Sequence, residues 1–464
     1  MKQVLLLATT MLTASAMVAP AHALDEAAMM KQMQAMQAQM ETMQRQMSSM
    51  KAELDKAKAD QKTVAKAAEE IKSAKIAKTP ESDVKISMVP APKFETADGA
   101  YSFKIGGFAQ IDAFASQDDR RDHPDGTNVR RARLNASGTI ANDWKYKIEN
   151  DFAGNASTLT DVFIEYTAFN PVTLTVGQFK EPFGLDTLTS DLFTTFNERA
   201  LLNAFSPDRR IGAMAHIHGK TAPIGAWTAA AGWFGSNTAS TSSTDDEAQD
   251  VTGRLTWAPF SEKTEVLHLA VAGSHRVPDR SANTYTISSR PENQMSSSAA
   301  DLAVTTGAIA SVESVDLLGL EAAAVYGPFS LQGEYTNAQV NRYNGFADQT
   351  FEGYYAEASW FVTGESRNYN AKAGRFERTS PKWAFKPSEG NWGALQLATR
   401  YSKLDLSDTV VRGGDIEDIS FGVNWIPLPY VAVKANYILT NMDAYAVTPN
   451  DDPQTFILRA QIDF

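Results

Sequence analysis

The chain has 464 residues, of which 43% are hydrophobic and 21% charged, with no cysteine and a formal net charge of −12. The lack of cysteine excludes disulfides, thiolate metal sites and cysteine nucleophiles, and the acidic balance argues against a general nucleic-acid binder. Past the N-terminus no uninterrupted apolar stretch reaches the ~18 residues of a spanning helix; this excludes a helical membrane protein but not a β-barrel, whose strands alternate.

Lys2 precedes an apolar run over 4–19, and Ala21-His22-Ala23 supplies a small-x-small cleavage site. Residues 1–23 therefore read as a signal peptide of the two-membrane bacterial export route. An anchor helix would be longer and would not carry Thr9, Thr10, Thr13 and Ser15.

Residues 24–78 differ in composition from the rest of the chain. Met29, Met33, Met36, Met40, Met43, Met47, Met50 and Leu54 step alternately by four and three, which is an a/d heptad seam. Helix-favouring Gln, Lys, Glu and Ala fill the remaining positions. We read this stretch as a periplasmic α-helical coiled coil, able to reach a periplasmic or peptidoglycan partner. A lone amphipathic helix is the alternative, and the strict spacing favours packing over a methionine metal tract. Unbranched methionine leaves the oligomer state open. Pro80, Pro90 and Pro92 mark 79–98 as a linker.

Over 99–464 the apolar period becomes two. Strands are predicted near 101–114, 127–140, 143–153, 159–168, 172–179, 210–218, 225–234, 250–258, 265–275, 315–326, 329–337, 351–362, 392–404, 416–426, 430–440 and 454–464. In the last, Phe456, Leu458, Ala460, Ile462 and Phe464 alternate with Ile457, Arg459, Gln461 and Asp463. A soluble sandwich alternates in the same way, so the connections decide. They run long and short in turn, as in outer-membrane barrels. The fold class expected is an all-β transmembrane barrel of 16 antiparallel strands. The connection 363–391 breaks the rule, and its weakly alternating part, 371–378, is treated as an excursion rather than a seventeenth strand. Sixteen closed strands enclose an aqueous lumen.

The connection 180–209 carries Phe183, Phe193, Phe196 and Phe205, and its cations are Lys180, Arg199, Arg209 and Arg210. Four phenylalanines suit a loop folded into the lumen as a constriction; an extracellular lid or subunit-contact loop is the alternative. Arg131 and Arg133 share the polar face of the second strand with Asn135, Ser137 and Thr139. Lys145 and Lys147 follow on the third, and Arg254, Arg400, Lys434 and Arg459 also fall on polar faces. Rings of Arg and Lys select anions, and Arg grips phosphate through two hydrogen bonds. Ordinary wall charge paired with Glu149, Asp151, Glu165 and Glu334 would give the same pattern.

Arg130-Arg131-Ala132-Arg133 followed by Asn142-Asp143-Trp144-Lys145-Tyr146-Lys147 resembles the phosphate-selective porin O and P family. Phe169-Asn170-Pro171, Gly177-Gln178-Phe179, Phe183-Gly184-Leu185, Val362-Thr363-Gly364-Glu365, Gly422-Val423-Asn424-Trp425 and the segment 459–464 agree in order. The resemblance runs over 101–464. It implies a trimeric outer-membrane barrel of a Gram-negative bacterium, embedded in lipid, with an arginine and lysine ladder for small anions such as phosphate. It places Arg130 and Arg131 at the constriction, although strict alternation turns Arg130 outward unless a bulge re-aims it. After the ninth strand, where the family's phosphate-selective members are dense in arginine, this chain offers Arg276, Arg280 and Arg290.

No cofactor, metal site or catalytic set is expected. His216 and His218 could face one side of a strand, and Gly219-Lys220-Thr221 lacks the glycine a phosphate loop needs five residues earlier. The reading is a passive diffusion channel for small hydrophilic solutes, with a preference for anions such as phosphate. A general or other-solute porin and a structural barrel tethering the envelope are the alternatives.

Overall fold

A computed structural model describes residues 84–464, except 89, 156, 237–246, 280–282, 294 and 296–301, together with scattered positions between Gln37 and Lys58. The chain divides into two units, Met1–Glu81 and Ser82–Phe464. In the first, the described positions are helical and solvent-exposed, Met47 among them. The expected signal peptide and most of the heptad seam lie outside the described residues.

The second unit is a closed antiparallel barrel of 16 strands. They are β1 (Ser102–Gln117), β2 (Gly126–Ile140), β3 (Trp144–Asp151), β4 (Thr158–Tyr166), β5 (Val172–Lys180), β6 (Arg209–Thr221), β7 (Gly225–Phe234) and β8 (Gln249–Ser261). They continue as β9 (Glu265–Val277), β10 (Val312–Tyr326), β11 (Phe329–Arg342), β12 (Gln349–Phe361), β13 (Ala394–Ser407), β14 (Arg412–Leu428), β15 (Val431–Met442) and β16 (Gln454–Asp463). Each pairs with its chain neighbours, and β16 pairs with β1 from Gln454↔Gln117 to Asp463↔Phe108. Closure leaves no strand edge unpaired, the condition for a sheet in lipid.

The alternation is inside-out relative to a soluble fold. On β8, Val251, Leu255 and Trp257 are exposed while Thr252, Arg254 and Thr256 are buried. On β14, Ile419, Phe421 and Val423 face outward and Asp418, Ser420 and Asn424 inward. Apolar residues therefore coat the outer wall and polar ones line the interior. Aromatic contacts collect at the short-turn rim. Trp144 packs on Tyr166 at 4.6 Å, Phe329 on Trp360 at 5.9 Å, and Phe385 on Trp425 at 5.3 Å, a belt suited to the membrane interface. The β2–β3 turn is tight because Ala141 and Asn142 both take positive φ, 49° and 68°, the mirror-image turn that matches strand twist.

Two expectations need correction. Residues 79–98 are not simply a linker. Lys85–Ser87 pairs with Lys93–Glu95, which in turn pairs with β1 through Lys93↔Lys104 and Phe94↔Phe103. Three backbone pairings on each side of Lys93–Glu95 outweigh Pro90 and Pro92, which sit outside the paired residues. Nor does Arg130 turn outward. The β1–β2 register passes from Gln110↔Arg131 to Ile111↔Val129, so Arg130 is the extra residue of a bulge and is re-aimed into the barrel.

The interior is filled by three connections. Residues 181–208 enter after β5, and the described residues of 278–311 enter from the same rim after β9. The connection 362–393 enters from the opposite, short-turn rim, as a small hairpin of Asn368–Asn370 with Arg375–Glu377. Phe183, Leu201, Leu202 and Phe205 of the first connection share one apolar cluster with Ile287, Val304 and Ile309 of the second and with Val340, Phe351 and Leu404 of the wall. Leu185 packs with Phe376 of the hairpin. Glycines on the wall receive the phenylalanines. A Cβ on Gly319 would lie 2.8 Å from the Phe183 ring, one on Gly353 3.1 Å from Phe205, and one on Gly422 3.2 Å from Phe196.

Candidate functional site

The connection 181–208 crosses the lumen, held by hydrogen bonds to strands far from its own. The Leu185 and Asp186 amides donate to Glu334 of β11 at 2.8 and 2.7 Å. The Leu201 amide donates to Ser402 of β13, and the Asn197 amide to Asn436 of β15, at 2.9 and 2.7 Å. Lys434 donates to the Thr194 carbonyl at 2.7 Å, and Gln110 to the Asp191 carbonyl at 3.1 Å.

Two carboxylates of this connection organise the cations. Glu198 accepts two bonds from Arg130, both 2.9 Å, and one from Arg459 at 2.6 Å, with Arg131 3.6 Å away. Asp191 lies 2.5 Å from Arg199, 3.0 Å from Arg133 and 3.4 Å from Arg131. Burial pushes both carboxyls up, but the arginines outweigh it. Asp191 ends well below the usual range, held by Arg131 and Arg199 with Lys180 and Arg133. Glu198 ends below it too, through Arg130, Arg131 and Arg459. The outer ends of the arginines are tied to the wall: Arg459 to Asp112 at 2.7 and 2.6 Å, Arg133 to Asp151 at 2.8 Å, and Arg131 to Gln110 at 2.9 Å.

Arg130, Arg131, Arg133 and Arg199 are thus brought together. Lys147 and Arg209 share Asp161 beside them, at 2.7 and 2.5 Å. Lys180 ends β5 and donates to the Thr187 carbonyl at 2.6 Å. Arg210 turns away toward Asp250, 4.0 Å distant. Arg254 is elsewhere as well, locked on Glu321 by bonds of 2.9 and 2.6 Å. Among the described residues Lys145 forms no ion pair and is exposed. Arg400 is bonded to Glu292 of the connection after β9 at 2.9 Å and stacks over Phe196 at 4.3 Å.

A reading of cations alone misses the partners. Asp191 and Glu198 stand in a connection already notable for its phenylalanines, and Arg375 enters from the hairpin at the opposite rim. The hairpin is anchored by Arg378 to Asp463, 3.1 Å from Nη1 to Oδ1, and by Tyr369 to His268 at 2.7 Å.

Space remains on both sides of 181–208. On one side a cavity of about 200 Å³ is lined by Arg130, Arg131, Arg199 and Arg290 with Glu198 and Glu292. On the other a cavity of about 510 Å³ is lined by Arg133, Lys145, Lys147, Lys180, Arg209, Arg254 and Arg375 against Glu149, Asp161, Glu165, Asp191 and Glu377. Basic residues outnumber acidic ones in each, inside a chain that is acidic overall.

Comparison with known proteins agrees with this architecture. The anion-selective porin from Comamonas acidovorans shares the fold, with a TM-score of 0.52 at 12% identity, covering 78% of this chain and 100% of that one. Porin O of Pseudomonas aeruginosa is 27% identical over 422 residues, 82% of this chain and 93% of its own length. A protein of Caulobacter vibrioides with no assigned role is 32% identical over 403 residues, 83% of this chain and 76% of its own length. The profile of the phosphate-selective porin O and P family matches residues 103–464, from the first barrel strand to the last residue. The closed barrel with its polar lumen, and a family match that spans it end to end, place the chain among the phosphate-selective porin O and P proteins, as a porin of the Gram-negative outer membrane.

Proposed function

We propose that this porin passes small hydrophilic solutes by diffusion, with a preference for anions such as phosphate. The observation that carries the reading is the convergence of Arg130, Arg131, Arg133 and Arg459 of the wall on Asp191 and Glu198 of the connection that crosses the lumen, where Arg199 joins them. Guanidinium groups held at fixed positions present donors to a passing anion and repel cations. The constriction is formed by 181–208, with Lys147, Lys180 and Arg209 on its short-turn side. The selectivity is moderate, because Asp191 and Glu198 offset part of the positive charge. That same pairing favours the second reading, a general or other-solute porin.

The zero-current potential of the purified protein in a planar bilayer under a KCl gradient separates the two. Anion selectivity with block by low phosphate supports the first reading; weak or cation selectivity without block supports the second. The active unit is proposed to be a trimer in outer-membrane lipid, and chemical cross-linking of detergent-extracted protein should trap three copies. Residues 1–23 are proposed to be removed on export, and 24–78 to associate as a coiled coil in the periplasm. Circular dichroism of that segment should then show helix that melts at a concentration-dependent temperature.

A further inference from the structure

The larger cavity has features that an inorganic anion alone does not need. Lys145 on β3 and Arg375 on the hairpin line it and form no ion pair among the described residues; the Glu165 carboxylate, opposite Lys145 in register, lines it with them. Thr175 is buried against the same cavity, and its hydroxyl has no hydrogen-bond partner. Register ties these groups into one row: Lys145 pairs with Glu165, and Glu165 with Thr175. Neighbouring strands are about 4.8 Å apart, so the row spans about 10 Å.

One step toward the lumen-crossing connection the surface becomes aromatic. Phe163 lies two residues before Glu165 on β4, half-buried, and meets Phe179 edge-on at 6.0 Å. Phe193 and Phe376 line the same space. Two residues of strand measure about 6.6 Å, comparable to a phenyl ring. The volume of about 510 Å³ is in the range of small-molecule sites, which pair apolar walls with a few placed polar groups.

We infer that this cavity binds small organic anions bearing an apolar group, such as phosphate monoesters. The anionic head sits among Lys145, Arg375 and the Thr175 hydroxyl, and the apolar part lies on Phe163 and Phe179. The inference rests on the anion-selective reading above and narrows its substrate class. Transfer of a ring from water onto these phenylalanines strengthens binding at least ~10-fold over a head group alone.

The test uses the full-length porin in planar bilayers, with chloride current blocked by phenyl phosphate or by methyl phosphate. The zero-current potential is measured first, and a channel without anion selectivity overturns the underlying reading itself. In an anion-selective channel, phenyl phosphate should half-block at a concentration at least ~10-fold below methyl phosphate. Equal half-blocking concentrations overturn the inference and leave anion selectivity standing. Phe163→Ala should shrink the ratio at least ~3-fold; a ratio that does not move removes the ring from this cavity. Thr175→Val, close to isosteric, should weaken block by both esters about 5-fold, and unchanged block overturns the placement of the head group.

Discussion

Replacing Glu198 by glutamine should make the channel more anion-selective. The side chain keeps its shape but loses the charge that Arg130, Arg131 and Arg459 surround at 2.9, 3.6 and 2.6 Å. Arg459 stays bonded to Asp112 and Arg131 to Gln110 and Asp191, while Arg130, paired here with Glu198 alone, keeps the glutamine oxygen as its acceptor. An ion passing about 8 Å from the lost charge in a water-like dielectric gains or loses about 0.5 kcal/mol. The sign is opposite for chloride and potassium, so their ratio shifts by about 1 kcal/mol, or about 5-fold. The assay is the zero-current potential under a KCl gradient at low ionic strength, where screening is least. Glu262→Gln, exposed in the β8–β9 turn and paired with Lys220 at 3.2 Å, is the control and should change nothing. An unchanged or diminished anion preference in Glu198→Gln would refute the argument that this connection sets selectivity.

Other outcomes rest on the same geometry. Arg131→Ala should lower anion preference more than Arg459→Ala, because Arg131 faces both Asp191 and Glu198 while Arg459 carries Asp112 with it; equal effects in the bilayer assay would place the constriction elsewhere. Phe205→Ala empties a fully buried position against Gly353 and removes about 3–5 kcal/mol of packing. Single-channel recordings should show larger, noisier conductance, and a wild-type trace would contradict an anchoring role. Asp191 and Glu198, held below the usual carboxylate range despite burial, stay ionised between pH 7 and about 4. Their pairing stabilises the folded state above their unfolded pKa of about 4 and is lost only as pH falls through the depressed folded value. The difference in selectivity between wild type and Glu198→Gln should therefore be flat over that window, and a difference that vanishes in a step near pH 4.5 would show that Glu198 titrates normally.

All 16 strands were legible because lipid outside and water inside impose a strict period of two, and because connection lengths alternate. Phe183, Phe196 and Phe205 stood out because a solvated loop has no use for them. What escaped the sequence involves partners distant along the chain. Ile287, Val304 and Ile309 lie in a Ser- and Thr-rich stretch with no apolar period, and only the wall opposite makes them a core. The hairpin carrying Arg375 and Arg378 looked like a failed strand because its three-residue arms pair with each other, not with the barrel. Arg130 shows the limit of alternation, since one extra residue on β2 reverses its direction. The carboxylates Asp191 and Glu198 carry no local signature, and their role comes from the arginines that fold around them.

The contents of this barrel are bonded to the strands made last. Glu198 meets Arg459 across 261 positions, Thr194 meets Lys434 across 240, and Leu201 meets Ser402 across 201. Contacts this distant form late, since the chain between them must be ordered first. The crossing connection therefore has no complete seat until β13 to β16 are present, and filling the lumen and closing the wall become one cooperative event. A half-built sheet would leave Thr194, Asn197 and Leu201 without Lys434, Asn436 and Ser402, their partners on β13 and β15. The charged cluster of 130–199 can pair early, but it reaches its final place across the lumen only when the ring that frames it exists.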